Sequence, residues 1–242
     1  MLRWLQQGLV FDIGSNDGTF LKDLQSAGFS KCVGIEPNPV AAGLARESGL
    51  EVYGNLLSEK CSTEILRSHG LFDNIVSRHV IEHITDLNGF FTCVGKLLKP
   101  GGIIMLDAPE CSTAIEMGDA SILWEEHVNY FSKETLEEML IGFGYDMMDT
   151  QSYLFTGESL SAIARRRVGD INQKAKFESF NGHDRKKLQK TYEQYSVKLQ
   201  QFGTVLRNRL LERKRAGQLI ILFGIGARGV MTVNALNLEN LI

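Results

Sequence analysis

Residues 9–18 read Leu9-Val10-Phe11-Asp12-Ile13-Gly14-Ser15-Asn16-Asp17-Gly18. The first five are mostly apolar and predict a buried β-strand, and the two glycines lie where the backbone must turn sharply after it. Ligands of open parallel sheets bind beyond the carboxyl ends of the strands. We therefore expect a binding loop at residues 12–18, with backbone N–H groups facing a ligand carboxylate and with Asp12 and Asp17 facing a ligand ammonium group. Glycine pairs also occur in plain turns, so the loop alone does not establish a site.

The chain around this loop alternates between β-rich apolar runs and amphipathic segments as far as Ala164. This alternation is typical of a parallel sheet covered by helices. The predicted strands are 9–13, 31–35, 51–53, 72–80, 103–106, 145–150 and 159–164, the predicted helices are 19–27, 39–48, 87–98 and one capped by Ser132, and 99–102 is a predicted turn. The last two strands follow the final helix closely. We therefore expect an α/β fold, a Rossmann-like, doubly wound sheet of seven strands with an antiparallel edge.

Glu36 follows the second predicted strand. A carboxylate at that place can accept hydrogen bonds from both hydroxyls of a ribose, which points to a nucleoside ligand. The glycine spacing at 14 and 18 is not the GxGxxG of a dinucleotide loop, so a cofactor without a pyrophosphate is favoured. The alternative is that Glu36 is an exposed turn residue before Pro37.

These motifs, together with Arg78-His79-Val80-Ile81-Glu82-His83 and Leu97-Leu98-Lys99-Pro100-Gly101-Gly102, resemble the class I S-adenosylmethionine-dependent methyltransferases over most of residues 9–165. The resemblance implies S-adenosyl-L-methionine (SAM) as cofactor. It implies that Asn55 and Leu56 lie near the adenine and that Arg78 and His79 line the methionine end. The cofactor-binding residues expected from loop and resemblance together are Asp12, Gly14, Ser15, Asn16, Asp17, Gly18, Glu36, Asn55, Leu56, Arg78 and His79.

A narrower resemblance begins at Leu123-Trp124-Glu125-Glu126-His127-Val128-Asn129-Tyr130-Phe131 and continues through residues 156–160 and 223–229. This order is similar to that of C-methyltransferases acting on nucleoside-diphosphate keto-sugars. It implies a methyltransferase domain at 1–165, a basic helical linker at 166–216 and the start of a second Rossmann-like domain at 217–242. The cysteine-rich zinc domain of that family has no counterpart here, which leaves open a fragment of a longer protein or a shortened relative.

The narrower resemblance implies catalytic roles for Glu126, His127 and His83. A carbon beside a ketone must lose a proton before it attacks a methyl group, and histidine suits that task near neutral pH. His127 is the expected base, Glu126 its supporting partner and His83 an acid or hydrogen-bond donor to the enolate oxygen. The expected acceptor contacts are Tyr130, Trp124 and Arg228. Glu-His pairs also cap helices or line interfaces without reacting.

The turn at 224–229 matches GxGxxG and follows a predicted strand at 219–223. Taken alone it would favour a dinucleotide enzyme, but the acidic residue that completes that fingerprint about 20 positions later has no place in the chain. The resemblance instead implies that Arg228 touches the diphosphate of the acceptor. The glycines could equally serve close packing of helix on strand.

Composition limits the function further. The four cysteines are far apart in the sequence, which argues against a zinc or redox site, so no metal is expected. No apolar run is long enough for a membrane span. Residues 1–164 contain 10 Lys and Arg against 23 Asp and Glu, and residues 165–216 contain 15 against 5. Without an aromatic–basic motif the basic segment does not predict nucleic-acid binding.

We expect a cytoplasmic enzyme with a small-molecule acceptor, most simply a nucleotide sugar. An O- or N-methyltransferase, a non-catalytic nucleotide-sugar-binding module and, more distantly, a nicotinamide oxidoreductase remain alternatives. The oligomeric state stays open.

Overall fold

The computed structural model describes residues 2–29, 31–124, 126–155, 157–169, 182–224 and 226–242. Its contacts group the chain into two compact units, Met1–Glu110 with Asn129–Glu178, and Cys111–Val128 with Ser179–Ile242. These units do not coincide with the sequence ranges 1–165, 166–216 and 217–242, because residues 111–128 group with the C-terminal segment. The three-range division stays a prediction.

The first unit contains a seven-stranded sheet in the order β3-β2-β1-β4-β5-β7-β6. Strands β1 to β5 pair in parallel, and β7 pairs antiparallel with both β5 and β6. The predicted α/β sheet with its antiparallel edge is thus confirmed. The strands are β1 Leu9–Ile13, β2 Lys31–Ile35, β3 Glu51–Tyr53, β4 Phe72–Arg78, β5 Leu98–Pro109, β6 Tyr145–Leu154 and β7 Glu158–Arg166.

Side chains cap the first turns of the helices Pro39–Glu47, Glu59–His69, Leu87–Leu97 and Lys133–Gly142. Asn38 accepts hydrogen bonds from two backbone N–H groups of the helix that Pro39 opens, and Ser132 forms a capping box with Thr135. The helices are α1 Thr19–Ser26, α2 Pro39–Glu47, α3 Glu59–His69, α4 Leu87–Leu97, α5 Ser112–Met117, α6 Lys133–Gly142, α7 Gly182–Arg215 and α8 Ala227–Ala235, with 3₁₀ turns at Leu2–Trp4, Ile81–His83 and Ala120–Ile122.

The predicted turn at 99–102 lies inside β5 as a bulge. Phe72 pairs with Leu98, whereas Asn74 pairs with Ile103, so the intervening residues of β5 loop out of the ladder. Gly101, with φ +76°, takes the left-handed conformation that this excursion requires.

The sheet buries apolar side chains on both faces, as a parallel sheet covered by helices must. Phe11 and Ile75 belong to the core beneath α3, α4 and α6, and their neighbours Val10 and Val76 belong to the core beneath α1 and α2. Alternation along each strand therefore divides the core in two. The carboxyl ends of β1, β2, β4 and β5 are left to form a binding edge.

The second unit has a small core of its own around Ala120, Leu236, Leu238 and Leu241. The predicted strand at 219–223 is wrong: the described residues there form no strand, and Leu219, Ile221 and Phe223 are 84%, 75% and 99% exposed. A strand needs a neighbour to receive its backbone hydrogen bonds, and no described strand lies beside this run.

Within the predicted basic helical linker at 166–216, the described residues contain helix α7, Gly182–Arg215. Residues 170–181 of that range lie outside the described residues. No helix among the described residues is long and apolar enough to cross a membrane.

Candidate active site

The loop after β1 has the backbone conformation that its glycines predict. Gly14, Asn16 and Gly18 have φ angles of +78°, +49° and +81°. A Cβ atom on Gly14 would lie 2.3 Å from Cγ2 of Val80. The Gly14 N–H donates to the Ile35 carbonyl at 2.8 Å, which ties the loop to the end of β2. A larger residue at position 14 would therefore be both strained and crowded.

Glu36, which follows β2, connects the end of that strand to this loop. One carboxylate oxygen accepts the Asn16 N–H at 3.0 Å and the other accepts the Asn38 N–H at 2.8 Å. The side chain is buried, unlike that of an exposed turn residue. Since each carboxylate oxygen can accept a second hydrogen bond, the pair remains able to receive two ligand hydroxyls.

A cavity of about 1010 Å³ opens at this edge of the sheet. Its wall brings together most of the residues that the sequence predicts for the cofactor, and it also includes His83. Gly18 is not in the wall; it precedes the first residue of α1, and a Cβ there would lie 2.2 Å from Cδ1 of Leu50. The predicted lining residues are Asp12, Gly14, Ser15, Asn16, Asp17, Glu36, Asn55, Leu56, Arg78, His79 and His83.

Asp12 and Asp17 occupy different environments in this wall. Asp12 is 2% exposed, and burial raises the pKa of its carboxyl to about 7, with the Arg78 charge opposing that rise and Asp107 and Glu36 adding to it. Asp17 is exposed, and the backbone N–H of Thr19, donating at 3.0 Å, holds the pKa of Asp17 below its ordinary value. Asp17 therefore accepts the N–H of the first residue of α1, whereas Asp12 is the buried acid of the cavity.

Arg78 lies at the end of β4 between an aromatic ring and a carboxylate. Its guanidinium carbon is 4.3 Å from the centre of the Phe20 ring, and its Nε is 3.4 Å from Oδ2 of Asp107. Tyr153 donates its hydroxyl to the same Oδ2 at 3.0 Å. Neither Asp107 nor Tyr153 is among the residues predicted from sequence. The signal for Asp107 is a carboxylate within the apolar run of residues 103–108.

His79 has an uncommon backbone conformation for a residue other than glycine. Its φ is +53°, and its N–H donates to the Asp107 carbonyl at 2.9 Å. Its Nδ1 lies 3.4 Å from a carboxylate oxygen of the buried Glu82, and its ring centre is 5.0 Å from that of Phe155. His79 is thus fixed on several sides at the cavity wall.

Asn129 anchors the segment that carries Tyr130 to the turn that carries His83. Its side-chain amide donates to the carbonyls of Ile81 and Ile84 at 3.1 and 2.7 Å. Tyr130 is partly buried and is not a lining residue of the cavity.

The remaining predicted residues belong to the second unit. The His127 N–H donates to the Trp124 carbonyl at 2.9 Å, and the two rings are 4.6 Å apart between centres. Glu126 is exposed and His127 is partly buried. Arg228 is an exposed residue in the first turn of α8.

The first unit offers a donor and acceptor set that fits a nucleoside amino acid. Glu36 can receive ribose hydroxyls, the buried Asp12 can balance an ammonium group, and Leu56, 72% exposed, presents apolar surface for a base. A sequence profile described as a methyltransferase domain matches residues 5–150, more than half of the chain. The chain belongs to the class I S-adenosylmethionine-dependent methyltransferases. SAM is accordingly its cofactor.

Comparison with individual proteins agrees with this family. The methyltransferase is 27% identical to C-methyltransferase NovU of Streptomyces niveus over 67% of this chain and 38% of NovU. It is 26% identical to a ubiquinone biosynthesis O-methyltransferase of Rhizobium etli over 60% of this chain and 63% of that protein. The chain thus spans less than two thirds of either relative.

Among solved structures, a SAM-dependent methyltransferase from Mesorhizobium loti shares the fold of this methyltransferase with a TM-score of 0.52 at 16% identity. The match covers 67% of this chain and 93% of the other. At that identity the likeness concerns the fold.

Proposed function

We propose that this methyltransferase transfers the methyl group of SAM to a carbon atom of a nucleoside-diphosphate keto-sugar. The observation that supports SAM as the methyl donor is the cavity in which the buried Glu36 and Asp12 lie at the ends of neighbouring strands. The keto-sugar as acceptor is supported by the similarity to NovU, named a C-methyltransferase, and by the sequence resemblance around residues 123–131.

The residues of the first unit would hold the cofactor. Glu36 would accept the ribose hydroxyls, Asp12 the ammonium group, and Asn55 and Leu56 would contact the adenine. The loop from Gly14 to Asp17 would present backbone N–H groups to the carboxylate, with Arg78 and His79 beside the methionine end. SAM supplies a methyl group bonded to a positively charged sulfur.

Proton transfer at the acceptor is assigned to three residues. His127 would take the proton from the carbon next to the ketone, and Glu126 would support the charged imidazolium that forms. His83, which lines the cavity, would donate a hydrogen bond to the enolate oxygen. Tyr130, Trp124 and Arg228 would contact the sugar nucleotide, with Arg228 at its diphosphate.

The test is transfer of a labelled methyl group to a panel of nucleoside-diphosphate keto-sugars, with the methylated atom located by NMR. His127→Ala is expected to lower the rate at least a hundredfold with little change in cofactor affinity, because a missing base affects only the chemical step. His69→Ala is the matched control, because His69 is not among the residues that line the cavity. Full activity of His127→Ala on the true acceptor would contradict the assignment.

O-methylation of a small molecule is the second candidate, favoured by the similarity to ubiquinone biosynthesis O-methyltransferases. A hydroxyl loses its proton more readily than a carbon, so the reaction depends less on His127. Methyl transfer to a phenolic hydroxyl, with no transfer to keto-sugars, would select this candidate.

A further inference from the structure

The cavity wall carries charges of both signs where the proposed function puts the methionine part of SAM. Asp12 is buried in its floor, and Arg78 brings a positive charge into the same wall. SAM carries a sulfonium and an ammonium group there, whereas the product S-adenosylhomocysteine (SAH) has lost the sulfonium charge. An unbalanced arginine would therefore oppose binding of the cofactor more strongly than binding of the product.

Asp107 is placed to balance that arginine. It is fully buried at the carboxyl end of β5, directly opposite Arg78 in the parallel pairing of β4 with β5. Its Oδ2 lies 3.4 Å from the Arg78 Nε. A pair this close, with one partner removed from water, interacts more strongly than a surface ion pair.

Tyr153 holds the balancing carboxylate in place from the antiparallel edge. Its hydroxyl donates to Asp107 Oδ2 at 3.0 Å, although the two residues are far apart in the chain. Burial raises the pKa of Asp107, and hydrogen bonds from Ser161 and Tyr153 and the charge of Arg78 act in the opposite direction. These contacts offset part of the rise, and the pKa of Asp107 stays above its ordinary value.

We propose that Asp107 is a specificity-determining residue: by pairing with Arg78 and being fixed by Tyr153, it keeps the methionine end selective for the sulfonium cofactor over the thioether product. This inference rests on the proposed cofactor site. It assigns to Asp107 a role in relieving product inhibition, through the charge of Arg78 and not through contact with the acceptor.

The experiment measures the dissociation constants of SAM and SAH by calorimetry for the full chain and four variants. Asp107→Asn preserves the shape of the side chain and removes its charge; we expect it to weaken SAM binding about tenfold more than SAH binding. Combining Asp107→Asn with Arg78→Met removes both charges and is expected to return the SAM-to-SAH affinity ratio to within about twofold of the wild-type ratio. General damage to the fold would instead weaken both ligands alike.

Tyr153→Phe should shift the ratio in the same direction by about threefold. Tyr145→Phe is the matched control, because Tyr145 is a buried tyrosine of the same strand outside the cavity wall and should leave the ratio unchanged. If Asp107→Asn does not fold, the proposal is tested by comparing the SAM-to-SAH affinity ratios of these two tyrosine variants.

An unchanged ratio in folded Asp107→Asn, or in Tyr153→Phe where Asp107→Asn does not fold, would overturn the proposal, as would failure of the double variant to restore the ratio. If the wild-type chain bound neither ligand, the cofactor site itself would be wrong, which is a distinguishable result.

Discussion

The Glu36 carboxylate accepts the backbone N–H of Asn16 at 3.0 Å, so the acid that ends β2 also fixes the loop that follows β1. Two motifs separated in the sequence therefore form one part of the cavity wall. The loop conformation supports the carboxylate, and the carboxylate accepts the hydrogen bond of a loop N–H. Substitutions in either motif should consequently affect both structure and binding.

Gly14→Ala should destabilise the fold by about 2 kcal/mol or more, because alanine is strained at φ +78° and its Cβ would meet Val80. Gly49→Ala is the matched control: Gly49 has φ +80°, but no atom lies within 4 Å of its Cβ position. Urea unfolding would measure both, and we expect Gly49→Ala to cost about 1 kcal/mol. An equal loss in the free energy of unfolding for the two variants would show that crowding by Val80 contributes nothing.

Asp12→Asn should stabilise the chain against heat while weakening cofactor binding. Burial raises the pKa of Asp12 from 3.8 to about 7 in the fold, so the folded chain binds a proton more tightly than the unfolded chain does. Stability is therefore lost as pH rises from about 4 to about 7, and an uncharged side chain avoids that loss.

The gain in Tm from Asp12→Asn should accordingly be larger at pH 8 than at pH 4, by several degrees. Asp23→Asn, an exposed position in α1, serves as the control and should show no such difference. A gain independent of pH would mean that the pKa of Asp12 is the same in the folded and the unfolded chain.

SAM affinity should also depend on pH through Asp12. The cofactor's ammonium group favours the ionised carboxylate, so affinity should rise as pH increases through about 7 and level off above it. In Asp12→Asn this rise should disappear. Calorimetric titrations between pH 5.5 and 8.5 would measure both curves, and parallel curves would contradict a contact between Asp12 and the cofactor.

Asn129→Ala should destabilise the chain by about 1–3 kcal/mol, because it leaves the carbonyls of Ile81 and Ile84 without their donor. Asn88→Ala, at an exposed position in α4, should change stability by less than about 0.5 kcal/mol. Chemical denaturation compares the two. A negligible effect at Asn129 would indicate that water replaces the lost donor.

The sequence predicts the sheet and its binding edge well because those signals are local. Apolar runs, glycines at turns and the acid after β2 each depend on a few neighbouring residues, and the structure confirms the predicted sheet of seven strands. Helix α3 has no counterpart among the predicted elements, since only one narrow stripe of it, including Cys61 and Ile65, is buried.

The parts that the sequence does not predict depend on distant contacts. Tyr153 reaches Asp107 only because β7 lies between β5 and β6 in antiparallel register, which no local pattern specifies. The run at 219–223 has strand propensity but no described partner strand, so propensity alone gives the wrong result there.

The central claim is that the cavity at the ends of β1 and β2 binds the cofactor through Glu36. Calorimetric titration with SAH should give micromolar-range binding for the wild-type chain, about −8 kcal/mol, and at least tenfold weaker binding for Glu36→Ala. Glu47→Ala, an exposed glutamate of α2, should bind like the wild type. No binding by the folded wild-type chain, or equal binding by Glu36→Ala, would contradict the account.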